Sequence, residues 1–144
     1  ETATVEPVGV ALPAGRARLP PLAGLIGRAE PFYSMVSRDT VPDARCRGFT
    51  FHFRPGALDE EGKLNRVAEV LGVSRNDLGP ENVASKRNRL PALRVGHNER
   101  GGHLDAALAG TGLALTGNYF AGVAIEDCVV RSRAEFERLR REGL

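Results

Sequence analysis

The chain has 144 residues, of which 42% are hydrophobic and 26% charged, and its formal net charge at pH 7 is +2. This length suits about one domain, and the nearly balanced charge gives no overall attraction to nucleic acid or to an anionic membrane. No run approaches the roughly 18 apolar residues of a spanning helix, and no signal segment opens the chain. The two cysteines, Cys46 and Cys128, stand outside any paired motif, which is typical of reduced thiols. We therefore expect a cytoplasmic protein with no transmembrane segment and no nucleic-acid partner.

Two strands are predicted in the first half of the chain, at residues 31–39 and 48–54. They are expected to pair antiparallel across the segment between them. In the second strand, phenylalanines alternate strictly with polar residues, so that one face is apolar. The apolar face consists of Phe49, Phe51 and Phe53. The opposite face, which carries His52, is either solvent-exposed or part of a cavity lined with polar groups.

Amphipathic helices are predicted on either side of a second extended region. Asp59 can cap a helix that ends at Gly72, where glycine supplies the left-handed stop. Residues 83–95 are predicted to be extended, with an interruption at a proline. A second helix is expected at residues 98–108, although its two internal glycines each cost about 1 kcal/mol relative to alanine.

Residues 112–130 carry the pattern of a strand, a glycine-bearing loop and a helix. Leu113–Leu115 is an apolar run long enough for a strand end, and the loop contains Gly117, Asn118 and Gly122. In the helix, a stripe at spacings of three and four is predicted to face the core. Its members are Ile125, Cys128, Val129, Ser132, Phe136 and Leu139.

This loop and helix start could bind an electron-rich group. Glycine backbone can approach a ligand closely, and the first turn of a helix offers free N–H groups and a partial positive charge. An ordinary buried turn between a strand and a helix is the alternative explanation of the same pattern.

Residues 116–129, read TGNYFAGVAIEDCV, resemble the C-terminal flavin-contacting signature of the FAD-dependent amine oxidase superfamily, most closely that of protoporphyrinogen oxidases. The resemblance implies that Gly117 and Asn118 lie near the ribityl and phosphate part of FAD. It places Gly122, Val123 and Ala124 near the pyrimidine edge of the flavin, where a helix N-terminus would stabilise the negative charge of the reduced ring.

The resemblance also implies an α+β fold in two parts. Residues 1–110 would form the strands and helices of a substrate-binding-type domain, and residues 111–144 a strand-loop-helix unit that completes a flavin-binding domain. The reaction would be an FAD-dependent two-electron oxidation. The sequence identifies no catalytic residue, electron acceptor or substrate, since tetrapyrroles, amines and polyenes all occur in the superfamily.

No Gly-x-Gly-x-x-Gly fingerprint follows a predicted strand, and the chain begins without methionine. These features suggest a truncation, a processed product or one subunit of a split flavoenzyme, whose partner would be the missing dinucleotide-binding half. We therefore expect the isolated chain to be inactive and to bind FAD weakly or not at all. An exposed apolar patch around Tyr119, Phe120, Val123 and Ile125 would then favour dimerisation or capture of that half.

Two other functions, an interaction module and a metal site, are compared with the flavin function. The alternative from a different class is a non-catalytic α+β binding or interaction module that keeps the signature as a folding element. A metal site is not expected, because His97 and His103 lie on different faces of the predicted helix and a zinc site needs three or four convergent ligands.

Overall fold

The computed structural model describes residues 2–120 and 122–143. The chain packs into two units, one formed by residues 4–89 and the other by residues 2–3 and 90–143. The boundary between these packing units, at residues 89 and 90, differs from the predicted boundary at residues 110 and 111. The predicted boundary separates functional parts and stays a prediction.

Among the described residues, the strands form one open, mostly antiparallel sheet, so the predicted α+β class is confirmed. The strand bounds are Thr2–Pro13 (β1), Gly24–Ile26 (β2), Phe32–Ser37 (β3), Cys46–Phe53 (β4), Val83–Ser85 (β5) and Asn88–Pro91 (β6). The sheet order is β2-β3-β4-β1-β5, and the sixth strand, β6, also pairs with β1.

The alternating phenylalanines of β4 form the centre of the core, as predicted. β4 pairs antiparallel with both β1 and β3, and Phe51 stands opposite Val8 on one side and Met35 on the other. Phe51, Phe53 and Phe32 are buried, and their rings lie 5.4 to 6.2 Å apart between centroids, two of the three pairs edge to face. Such pairs add to the burial energy of the rings.

The apolar face of the sheet is covered by helix α1, Glu60–Leu71. Its bounds follow from the signals in the sequence: the Asp59 carboxylate accepts the Gly62 N–H at 2.7 Å, and Gly72 ends the helix with φ +65°. Val67 and Leu71 are fully buried against the phenylalanines. The predicted helix, its cap and its stop are therefore confirmed.

We expect Gly72→Ala to destabilise the protein more than Gly56→Ala. Both glycines have positive φ, which costs an alanine about 1–2 kcal/mol. A β-carbon at Gly72 would also lie 2.9 Å from the Arg18 β-carbon, whereas one at Gly56 would meet nothing within 4 Å. Urea unfolding followed by circular dichroism measures both changes. If both variants lost the same free energy of unfolding, the end of α1 and the Arg18 side chain would have moved to accommodate the added β-carbon.

The second unit contains helices α2, His97–Leu108, and α3, Ile125–Glu142. The helix predicted at residues 98–108 is confirmed with its start one residue earlier, and it contains both internal glycines. Within the described ranges, no helix is long and apolar enough to cross a bilayer.

The strand predicted at Leu113–Leu115 is not observed, because these residues are irregular. The Leu113 carbonyl accepts a hydrogen bond from Arg138 at 2.5 Å, and the Leu115 carbonyl accepts one from Arg131 at 3.0 Å. Guanidinium groups thus hold the carbonyls that a neighbouring strand would bind. An apolar run predicts a strand only where a second strand is available to pair with it.

Candidate functional site

The candidate flavin-contacting residues lie on one continuous connection between α2 and α3. Gly117 and Gly122 are half-buried, whereas Asn118, Val123 and Ala124 are exposed. Ala121, inside the signature, lies outside the described residues. The structure thus places the five predicted residues on one loop.

The two loop glycines are needed for different reasons. Gly117 has φ +142°, in the region that side chains disfavour, and a β-carbon there would lie 3.2 Å from the Tyr119 ring. Gly122 has no such constraint on φ. Instead, a β-carbon at Gly122 would collide with the Asp127 carboxylate. The close approach at Gly122 is therefore made by a side chain of the helix itself.

Asp127 also occupies the start of α3. Its carboxylate accepts the Ala124 N–H at 3.1 Å, while the cap residue, Ala124, has no polar side chain to offer. Glu126 adds a second negative charge in the first turn. A carboxylate at this end of a helix is stabilised by the helix dipole, and it also reduces the positive potential available to a ligand.

Two adjacent aromatic residues of the loop, Tyr119 and Phe120, contact α2 and α3. His97 Nε2 donates a hydrogen bond to the Tyr119 carbonyl. The Tyr119 and Phe120 rings stack with centroids 4.7 Å apart, and the Arg131 guanidinium lies 4.5 Å from the centre of the Phe120 ring. Of the four residues predicted to form an exposed apolar patch, Tyr119, Val123 and Ile125 are exposed, but Phe120 is buried.

The apolar stripe of α3 does not face a core in the described unit, contrary to the prediction. Ile125 is 85% exposed and Phe136 is 65% exposed, and Val129 is also exposed. Cys128 and Leu139, at the edge of the stripe, are half-buried. α3 therefore presents an uncovered apolar face to its surroundings.

The inward face of α3 is built instead from charged side chains. Glu135 is buried and pairs with Arg131 at 3.4 Å and with Arg138 at 3.2 Å. Arg131 also holds Asp105 of α2 at 2.6 and 2.9 Å, and this hydrogen bonding lowers the pKa of Asp105. Arg138 adds hydrogen bonds to the carbonyls of Leu108 and of two residues in the connection.

Sequence reasoning missed this network, although it left a signal. Arg131, Glu135 and Arg138 stand at spacings of four and three, which puts them on one side of a helix. A charge stripe of this kind usually indicates a solvated face. In this protein the charged stripe is shielded from solvent because Arg131 and Arg138 donate hydrogen bonds to carbonyls of the irregular segment before α3. The spacing of the charges alone does not predict these partners.

Two of the side chains considered as metal ligands, His97 and Asp105, make hydrogen bonds within the protein. His97 binds the Tyr119 carbonyl, and the carboxylate of Asp105 is held by Arg131. In the described part of the chain, no three His, Cys, Asp or Glu side chains come together as a metal site would require.

Comparison of the chain with protein-family models, with curated proteins and with solved structures finds no match.

Proposed function

We propose that this chain supplies the flavin-facing C-terminal loop and helix of an FAD-dependent oxidoreductase of the amine oxidase superfamily, similar to protoporphyrinogen oxidase. The observation that carries the proposal is the exposed loop that leads directly into the N-terminus of α3. Gly117, Asn118, Gly122, Val123 and Ala124 all lie on it. These are the positions at which the resemblance puts the flavin.

The exposed apolar side chains around this loop support the same proposal. Tyr119 is 50% exposed and Val123 is 57% exposed, and the apolar stripe of α3 follows them. A flavin ring and a dinucleotide-binding part, on another segment or a partner chain, would cover such a surface. A second copy of this chain is another candidate to cover it, because large exposed apolar patches mark interaction sites.

The sheet offers a surface for the substrate in this proposal. Opposite the phenylalanine core, β4 carries Thr50 and His52, and His52 Nδ1 lies 3.2 Å from the Ser34 hydroxyl. On β1, Gly9 stands opposite Thr50 and Pro7 stands opposite His52. The reaction would be removal of two electrons from a C–N or C–C unit, with FAD as the acceptor.

Localisation and activity follow from the proposal. Both cysteines are free thiols, which suits the cytoplasm. The loop and helix would provide only part of the contacts of FAD, so the chain by itself should bind flavin weakly and show no oxidase activity.

The test is a titration of the ¹⁵N-labelled chain with FMN, followed by backbone NMR shifts, with ADP as the matched ligand. FMN carries the isoalloxazine ring and ADP carries phosphates without it. We expect FMN, and not ADP, to shift the amides of Gly122, Val123 and Ala124. Unmoved loop amides at millimolar FMN, or equal shifts with ADP, would contradict the proposal.

A pair of variants sharpens the test. Val123→Asp puts a negative charge beside the proposed pyrimidine edge, and Val130→Asp puts one on α3 at a residue of the same 57% exposure. We expect Val123→Asp to weaken FMN binding on the order of tenfold, because the carboxylate repels the electron-rich N1 and C2 carbonyl of the ring, and Val130→Asp to leave it unchanged. If the two variants weakened FMN binding equally, the loop would not be part of the flavin site.

A non-catalytic interaction module is the second candidate function. The observation in its favour is the Asp127 carboxylate, which already binds the Ala124 N–H and lies against Gly122. A flavin would have to share or displace it. Flavin-specific shifts in the titration above decide between the two functions, because a module that keeps the signature only for folding would show none.

A further inference from the structure

A cavity of about 530 Å³ lies beside the connection between β3 and β4, within the unit of residues 4–89. Its volume falls in the range of small-molecule sites, roughly 300 to 1,000 Å³. The lining is mostly apolar and includes Ala11, Ala14, Pro21, Val41 and Pro42. None of the five flavin-contacting candidates belongs to it.

One wall of this cavity is fixed by a buried ion pair. The Arg47 guanidinium holds the Asp39 carboxylate at 2.6 and 2.9 Å and donates to the Leu19 carbonyl at 2.7 Å. Asp39 also accepts the Leu22 N–H at 3.2 Å. The pair therefore ties the segment around residues 17–22 to the sheet, and the cavity is formed before any ligand arrives.

The charges around the cavity leave one guanidinium whose N–H groups are not taken by a carboxylate. Arg47 is neutralised by Asp39, and the Asp43 carboxylate accepts the Arg45 N–H at 2.7 Å and lies 3.5 Å from its guanidinium. The exposed Arg38 guanidinium also lines the cavity and makes no hydrogen bond or salt bridge among the described residues. The pKa of Asp43 is lowered mainly by hydrogen bonds from Arg45 and in smaller part by the charge of Arg38, so Arg38 interacts with Asp43 only at longer range and keeps its N–H donors for a ligand. A fork of N–H donors above an apolar surface suits a carboxylate attached to an apolar body.

We propose that this cavity binds a small amphipathic carboxylate. The carboxylate accepts hydrogen bonds from Arg38, and the apolar body packs on Pro21, Val41 and Pro42. The charge complementarity at Arg38 selects an acid over the corresponding neutral molecule, and the cavity volume limits the ligand to about the size of a fused two-ring or medium-chain acid.

The experiment compares 2-naphthoate with 2-naphthalenemethanol, which has the same rings without the charge. In the ¹⁵N-labelled full chain, we expect naphthoate to shift the amides of Val41, Cys46 and Gly48, and to bind more tightly than the alcohol. Arg38→Gln should weaken naphthoate binding on the order of tenfold, the value of one charged hydrogen bond, and leave the alcohol unchanged. The control is Arg28→Gln, which removes another exposed arginine outside the cavity.

A steric variant and a chemical readout complete the test. Ala11→Phe adds a ring at an exposed strand position that lines the cavity, and should abolish binding of both ligands. Alkylation of the exposed Cys46 thiol should slow when naphthoate is bound, while alkylation of Cys128 does not change. Equal affinities for the acid and the alcohol, or naphthoate shifts that persist in Ala11→Phe, would overturn the proposal. Either result leaves the flavin titration unaffected.

Discussion

Phe51→Ala is expected to lower the free energy of unfolding of the sheet unit by about 3–5 kcal/mol. Phe51 is completely buried, and it contacts both Phe32 and Phe53 in the aromatic cluster. The change removes the transfer energy of the ring and leaves a cavity that the surrounding strands cannot fill, because β4 is paired on both sides. Urea unfolding followed by circular dichroism, with hydrogen exchange of β4 amides to confirm which unit opens, measures the loss.

Tyr33→Ala is the matched control for this prediction. Tyr33 is an aromatic residue of the same sheet, but it is 45% exposed, and its main partner is Arg54, whose guanidinium lies 4.2 Å from the ring centre. Its loss should cost about 1 kcal/mol. If the two variants lost the same stability, the phenylalanine cluster would not be the centre of the core.

The parts of the fold that the sequence predicts are those determined by neighbours along the chain. The alternation of Phe49, Phe51 and Phe53 predicts both the strand and its buried face. The cap at Asp59 and the stop at Gly72 predict the ends of α1 within a residue. In each case the physical cause, a period of two or a local hydrogen bond, is contained in a few consecutive residues.

The parts that local pattern misjudges depend on distant partners. Leu113–Leu115 has the composition of a strand, but its carbonyls are taken by arginines some 16 to 25 positions away. The stripe of α3 has helical spacing, yet spacing does not say which face will be covered. Phe120 is adjacent in sequence to exposed Tyr119 but is buried beneath Arg131.

The candidate sites divide in the same way. Sequence resemblance brings the five flavin-contacting candidates onto one loop. It gives no sign that the Asp127 carboxylate lies against Gly122. The cavity at Arg38 has no motif at all, since its lining comes from three separated segments that meet only in the folded sheet.

Arg47→Met is expected to cost about 3–5 kcal/mol at neutral pH. The Arg47 and Asp39 side chains are only 12% and 7% exposed, so the variant leaves a buried carboxylate without its cation. It also leaves the Leu19 carbonyl without its donor. Replacing both partners, as in Arg47→Met with Asp39→Leu, should recover part of the loss, because no buried charge then remains. A double variant as unstable as Arg47→Met would show that the unpaired carboxylate is not the cause.

The same ion pair predicts how stability depends on pH. The Arg47 hydrogen bonds lower the pKa of Asp39 from its ordinary 3.8 to about 2. A lowered pKa in the folded state means that the stabilisation is fully present above about pH 5 and is lost as pH falls through 4 towards 2, by about 2 kcal/mol in all. The stability difference between the wild-type chain and Asp39→Asn, measured by urea unfolding at each pH, should therefore be constant at neutral pH and shrink over this window. Asp43→Asn alters an exposed carboxylate of the same loop and is the control. Its stability difference from the wild-type chain should change much less between about pH 5 and pH 2. A difference for Asp39→Asn that stays constant down to pH 2 would mean that the Asp39 carboxylate is not stabilised by Arg47 in the folded state.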